Sequence, residues 1–81
     1  MRIESMANNQ VIIIKNNGTS VFTSYDTIIA KITKSGKVTL SSKYDFSRTT
    51  MKYLCRFLAV DSIKTVRIMI ANKTYKVVKS L

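Results

Sequence analysis

Between Gln10 and Ser41 the apolar positions fall into short runs broken by Asn- and Gly-containing segments, the pattern of β-hairpins. Gln10 to Lys15 carries four β-branched residues in a row, Val11, Ile12, Ile13 and Ile14. Such a run predicts a strand covered on both faces or a strand edge shared between copies. Asn16-Asn17-Gly18 follows as a turn, because Asn and Gly tolerate positive φ, and a short strand through Val21 and Phe22 completes the hairpin. Thr27 to Thr33 alternates with Ile28, Ala30 and Ile32 on one face. After Ser35-Gly36, Lys37 to Ser41 alternates again, with Val38 and Leu40 inward and Lys37 and Thr39 outward. The four segments predict an antiparallel region of four strands.

The period then changes. Met51, Leu54, Cys55 and Leu58 recur at i, i+3, i+4 and i+7, the core stripe of an amphipathic helix running from about Arg48 to Ala59. Ser47 is placed to cap it, and Phe46 and Met51 occupy the two positions of a hydrophobic staple. Beyond it two readings stand. Asp61 or Ser62 can cap a second helix with Ile63, Val66 and Ile70 inward, leaving Tyr75 to Val78 as a strand. Alternatively Thr65 to Ile70 is a strand that pairs with Tyr75 to Val78 through Asn72-Lys73. The expected fold is therefore a small α+β domain: antiparallel hairpins on one firm helix (about 48–59), then a short helix and strand or a hairpin. Residues 1–9 read as a flexible tail ahead of a single domain at 10–81. Met6 is a second candidate translation start, so removal of Met1 to Ser5 is expected to leave the domain unchanged.

Eighty-one residues leave room for one domain with a thin core and little interior for a deep cleft. The composition changes this picture mainly through charge: 14 Lys and Arg against 4 Asp and Glu give a net charge of +10. A charge of that size calls for a polyanionic counterpart. A single cysteine, Cys55, rules out an intrachain disulfide, and its place on the apolar stripe marks it as packing. No apolar stretch approaches the ~18 residues of a membrane-spanning helix, and there is no signal-peptide core. A cytoplasmic location is expected, without a membrane partner.

Catalytic chemistry is poorly supplied. The chain has no histidine, the most frequent general base. Glu4, Asp26, Asp45 and Asp61 are scattered, with no pair at a helical or strand spacing suited to a metal or to acid–base work. Gly18 and Gly36 are too isolated to cradle a phosphate as a glycine-rich loop does. Ser47, Thr49 and Thr50 have no neighbour that would activate them. The expectation is a protein that is not an enzyme, with no metal, no cofactor and no small-molecule substrate.

Binding chemistry is better supplied. Lys43, Tyr44, Arg48, Lys52, Tyr53 and Arg56 lie close together from the loop onto the helix, cations interleaved with aromatic rings. Cations neutralise phosphates and rings stack on bases, so this composition suits nucleic acid. Arg48, Lys52 and Arg56 recur every fourth residue as a ridge with no acid at i±4 to pair with them. Lys31, Lys34 and Lys37 form a secondary basic cluster around the second hairpin, where they also discourage sheet-to-sheet aggregation. No zinc-finger spacing, RNA-binding strand signature or helix-turn-helix is present.

The motifs Ser24-Tyr25-Asp26-Thr27-Ile28-Ile29-Ala30 and Lys43-Tyr44-Asp45-Phe46-Ser47-Arg48-Thr49-Thr50-Met51-Lys52-Tyr53, with Phe57-Leu58 closing the helix, carry a resemblance. The chain resembles small uncharacterised proteins of phages and prophages of Gram-positive bacteria over roughly Ser24 to Tyr75. That resemblance implies a short charged helix near Ser62 to Asn72 and a strand at Tyr75 to Val78. The chain departs from the pattern at Lys73, where a Gly is usual, and in its apolar Ile68-Met69. The resemblance assigns no residue a role. It implies provenance more than activity; taken with the basic surface, the expectation is a non-catalytic accessory protein that binds nucleic acid, a host nucleoprotein or a nucleic-acid enzyme in the host cytoplasm. The alternative is an inhibitor of a host defence or replication enzyme, such as an anti-CRISPR protein, acting by protein contacts. Self-association through the run Val11 to Ile14 is a further expectation.

Overall fold

A computed structural model describes residues 1–79 and 81. Strands β1 (Arg2–Ala7), β2 (Gln10–Ile14), β3 (Ser20–Ser24), β4 (Thr27–Ile32) and β5 (Val38–Ser41) precede helices α1 (Arg48–Leu58) and α2 (Ile63–Ala71). Strand β6 (Tyr75–Val78) follows them. The strands lie in one sheet in chain order, β1 to β5 antiparallel and β6 parallel to β5. A parallel neighbour needs a crossover of about a dozen residues or more, and the segment holding both helices provides it. Of the two C-terminal readings, the helix followed by a strand is the one that forms, and the hairpin is not.

The N-terminal segment departs from expectation. Arg2–Ala7 is not a tail but the first strand, paired with β2 through a turn at Asn8-Asn9 in which Asn9 adopts φ 63°. Isoleucine meets isoleucine across that pair, Ile3 opposite Ile13, and Glu4 faces Ile12. Removing Met1 to Ser5 should therefore cost stability. Four cross-strand pairs at about 0.2–1 kcal/mol each give a loss of roughly 1–4 kcal/mol in chemical denaturation. An unchanged midpoint and slope would show that β1 adds nothing.

Register divides the side chains between two faces. One rung runs Ile12, Phe22, Ala30, Leu40, the next face's rung Ile13, Val21, Lys31, Thr39. Both helices cover the first face. There Phe22, Ile29, Ala30, Val38, Leu40, Leu54, Val66 and Tyr75 form the buried core, and the rings of Phe22 and Phe57 stack at 5.7 Å. The β-branched run of β2 is explained by this division, with Ile12 and Ile14 toward the helices and Val11 and Ile13 on the open face.

Strict alternation fails in β4. A bulge between Phe22 and Thr23 sets Phe22 opposite Ala30 but Thr23 opposite Ile28. The extra residue, Ile29, joins the core beside Ala30, and Ile28 goes to the open face, 39% exposed. The expected inward set of Ile28, Ala30 and Ile32 is corrected accordingly. The bulge follows a two-residue turn in which Tyr25 and Asp26 both have positive φ, 51° and 65°, the geometry of a type I′ hairpin.

Helix α1 starts on a chain of hydroxyls. Ser47 Oγ accepts from the Thr50 amide at 3.1 Å and donates to Thr50 Oγ1 at 2.9 Å. Thr50 is buried, and its hydroxyl bonds Ser24 Oγ of β3 at 2.9 Å, fastening the helix end to the sheet. Thr50 is thus an internal link rather than a surface hydroxyl. The helix closes with Ala59 in the left-handed region, its N–H and that of Val60 reaching back to Arg56 and Cys55 carbonyls. Phe46 is half exposed and meets Tyr25 edge-on. Among the described residues, no helix is long and apolar enough to cross a membrane.

Candidate functional site

The stripe that buries Leu54 turns the opposite side of α1 to solvent. Arg48, Lys52 and Arg56, spaced one turn apart, are all exposed on that side. Among the described residues the ion pairs are Arg2–Glu4 and Arg67–Asp45, so none of the three ridge cations has an acidic partner. Their heads are held by a ring instead. Lys52 Nζ lies 5.4 Å and Arg56 Cζ 5.3 Å from the centroid of Tyr53, within reach of a cation–π attraction. Two cations gathered over one ring concentrate positive potential rather than dispersing it.

The ridge borders a groove of about 400 Å³ between α1 and the start of α2. Half-buried Met51, Cys55, Val60 and Ile63 supply its apolar lining, with Asp61 and Ser62 on the α2 side. Burial lifts the Cys55 thiol above its ordinary range, which fits packing rather than nucleophilic duty. Tyr75 is also raised, by burial first and by the nearby thiol second. A group whose folded pKa lies above its unfolded value contributes stability in full below the unfolded value. That contribution is lost as pH rises through the folded value. Stability should hold steady around neutrality and decline in the alkaline range, and thiol reagents should label Cys55 more slowly than free cysteine at mildly alkaline pH. Labelling at the free-cysteine rate would show an open, reactive thiol.

The other sequence-identified residues fall into different places. Lys43 is exposed in the loop before α1. Tyr44 and Tyr53 are half-buried and pack against the core, which removes much of their faces from any base. The exposed rings nearby are Tyr25 and Phe46, 48% and 50% exposed, with centroids 6.2 Å apart at 72°. Tyr25 stands in a turn where it and Asp26 both have positive φ, and the hydrophobic pattern of the sequence marks neither ring as exposed.

Of the secondary cluster, Lys34 and Lys37 are exposed on either side of the Ser35-Gly36 turn, while Lys31 sits within β4 on the open sheet face. Lys34 packs across Gly18, where an added Cβ would come within 3.0 Å of its side chain, so the two hairpin turns touch. Parallel pairing of β6 with β5 brings up two lysines that no spacing singled out. Lys73 and Lys76 join Lys37 around a second groove of about 430 Å³ that also includes Val38 and Tyr75.

The molecule is thus a small α+β domain with a mixed sheet, two helices on one face and a cationic ridge on the first of them. The chain belongs to the family of unknown function DUF8033, whose model matches residues 1–74. No curated protein and no solved structure matches it.

Proposed function

We propose that the domain is a non-catalytic binding module that engages the phosphates of a nucleic acid through Arg48, Lys52 and Arg56. The observation that carries this reading is the ridge itself: three exposed cations on one helix face, one turn apart, with no acidic partner among the described residues, in a chain of net charge +10. Unpaired like charges at that spacing repel one another, and a row of phosphates relieves the repulsion while releasing counterions. Lys43, exposed in the loop that leads into the helix, adds a further cation, and the exposed rings of Tyr25 and Phe46 are available for contact with an unstacked base. The resemblance to phage and prophage proteins supports an accessory role in the host cytoplasm, on nucleic acid or on a nucleoprotein.

A second reading draws on the groove beside the ridge. Its half-buried Met51, Cys55, Val60 and Ile63 offer apolar contact to a protein, as an inhibitor of a defence or replication enzyme requires. Titration against labelled duplex and single strand at several salt concentrations separates the two. Direct binding predicts measurable affinity at low salt that falls steeply as salt rises. Absence of binding at low salt overturns it. Partners that survive nuclease treatment in a pull-down from host lysate would then put the protein target first.

A further inference from the structure

Strand β1 is an edge: its inner side pairs with β2 and its outer side with no strand among the described residues. Edges are usually blunted by lysine, proline or a bulge. Here the bulge lies at the far end, between Ser5 and Ala7, and Arg2 to Ser5 is regular strand. Arg2 and Glu4 form an ion pair at 3.0 Å, so the side chains of β1 carry no net charge in a molecule of +10. Ile3, between them, points to the open sheet face and is 62% exposed. It is the last member of a rung in which Val21 is only 5% exposed and Ile13 is half-buried, on the face opposite the helices.

We propose that two copies of the chain join edge to edge through β1, antiparallel about a two-fold axis at Ile3. The occupant follows from the charge order. Arg2-Ile3-Glu4 is self-complementary in this register: Arg2 of each copy falls opposite Glu4 of the other, giving two opposite-charge cross-strand pairs on one face. A two-fold axis at Arg2 or at Glu4 instead sets like charges directly opposite, so the register is selected by repulsion as well as attraction. On the other face Ile3 meets Ile3 of the second copy, and the apolar rung of Ile3, Ile13 and Val21 continues across the seam. The result is one sheet with twice the six strands of a single chain. The axis is normal to the sheet, so both helix layers lie on the same side. This dimer needs no nucleic acid and stands apart from the function proposed above.

The test is sedimentation equilibrium of the full chain without nucleic acid, up to roughly millimolar concentration, because short strand edges bury less than a standard interface. The expected mass approaches twice the 9.2 kDa of one chain. Arg2→Glu and Glu4→Arg each set two pairs of like charges opposite one another and should weaken association about tenfold or more. Mixing the two variants should restore it as a heterodimer, and so should both changes in one chain. Both side chains are exposed, and the restored combinations double as controls for folding. A wild-type mass of one chain throughout overturns the proposal. So does association indifferent to the single changes, or failure of both combinations to restore it.

Discussion

Leu54→Ala should lower the unfolding free energy by about 2–5 kcal/mol, the range for emptying a fully buried leucine site. Leu54 lies in the middle of α1 with no solvent exposure, in the same cluster as Phe22, Leu40 and Val66. A domain of this size has a stability toward the lower end of the ~5–15 kcal/mol typical of globular proteins, so the loss takes a large share of it and can unfold the chain at ambient temperature. Ile68→Ala is the control. Ile68 is 56% exposed on α2, and its truncation leaves no cavity. Thermal melts followed by circular dichroism should show a large drop for Leu54→Ala and little change for Ile68→Ala. Equal melting temperatures for Leu54→Ala and wild type would refute the packing of α1 on the sheet.

Changing Arg48, Lys52 and Arg56 together to Gln should remove most of the salt dependence of nucleic-acid binding while keeping the fold. Each phosphate contact on duplex contributes about −0.9 to the slope of log affinity against log salt, so three contacts give roughly −3. The triple variant should bring that slope toward zero, with similar effects on different sequences, because phosphate contacts position the protein without reading bases. All three side chains are exposed and Gln is a good helix former, so the structural cost is confined mainly to the cations over Tyr53. Those contacts are worth about 0.5–1 kcal/mol each at an exposed site. A residual slope would report the second basic group, Lys37, Lys73 and Lys76. A slope equal to wild type would remove the ridge from the interface.

The cationic ridge was legible before any fold was known, because helical spacing and the missing acids are properties of α1 alone. The stacking partners were not. Tyr44 and Tyr53 have the right composition, but whether a ring faces solvent depends on what packs beside it, and both are held against the core. Tyr25 and Phe46 are exposed for a tertiary reason, a strained turn brought next to the loop that enters α1. The groove with Lys37, Lys73 and Lys76 has the same origin, since its residues come from two ends of a crossover.

By itself the sequence determined the elements whose causes are local: the hairpin turn at Asn16-Asn17-Gly18, the alternation of β5, the capped amphipathic α1 and its buried Leu54. Each rests on a period or a φ preference acting over a few residues, which needs no distant partner. Only the tertiary structure decided three other matters. Arg2–Ala7 is mostly exposed and mixes polar with apolar residues, and becomes a strand because Ile12 and Ile13 of β2 present an edge for it to pair with. Ile29 replaces Ile28 in the core because a bulge opposite Phe22 shifts the strand by one residue, which reverses the faces beyond it. Tyr75–Val78 lies parallel to β5 because both helices must fit between them, a consequence of where the chain travels.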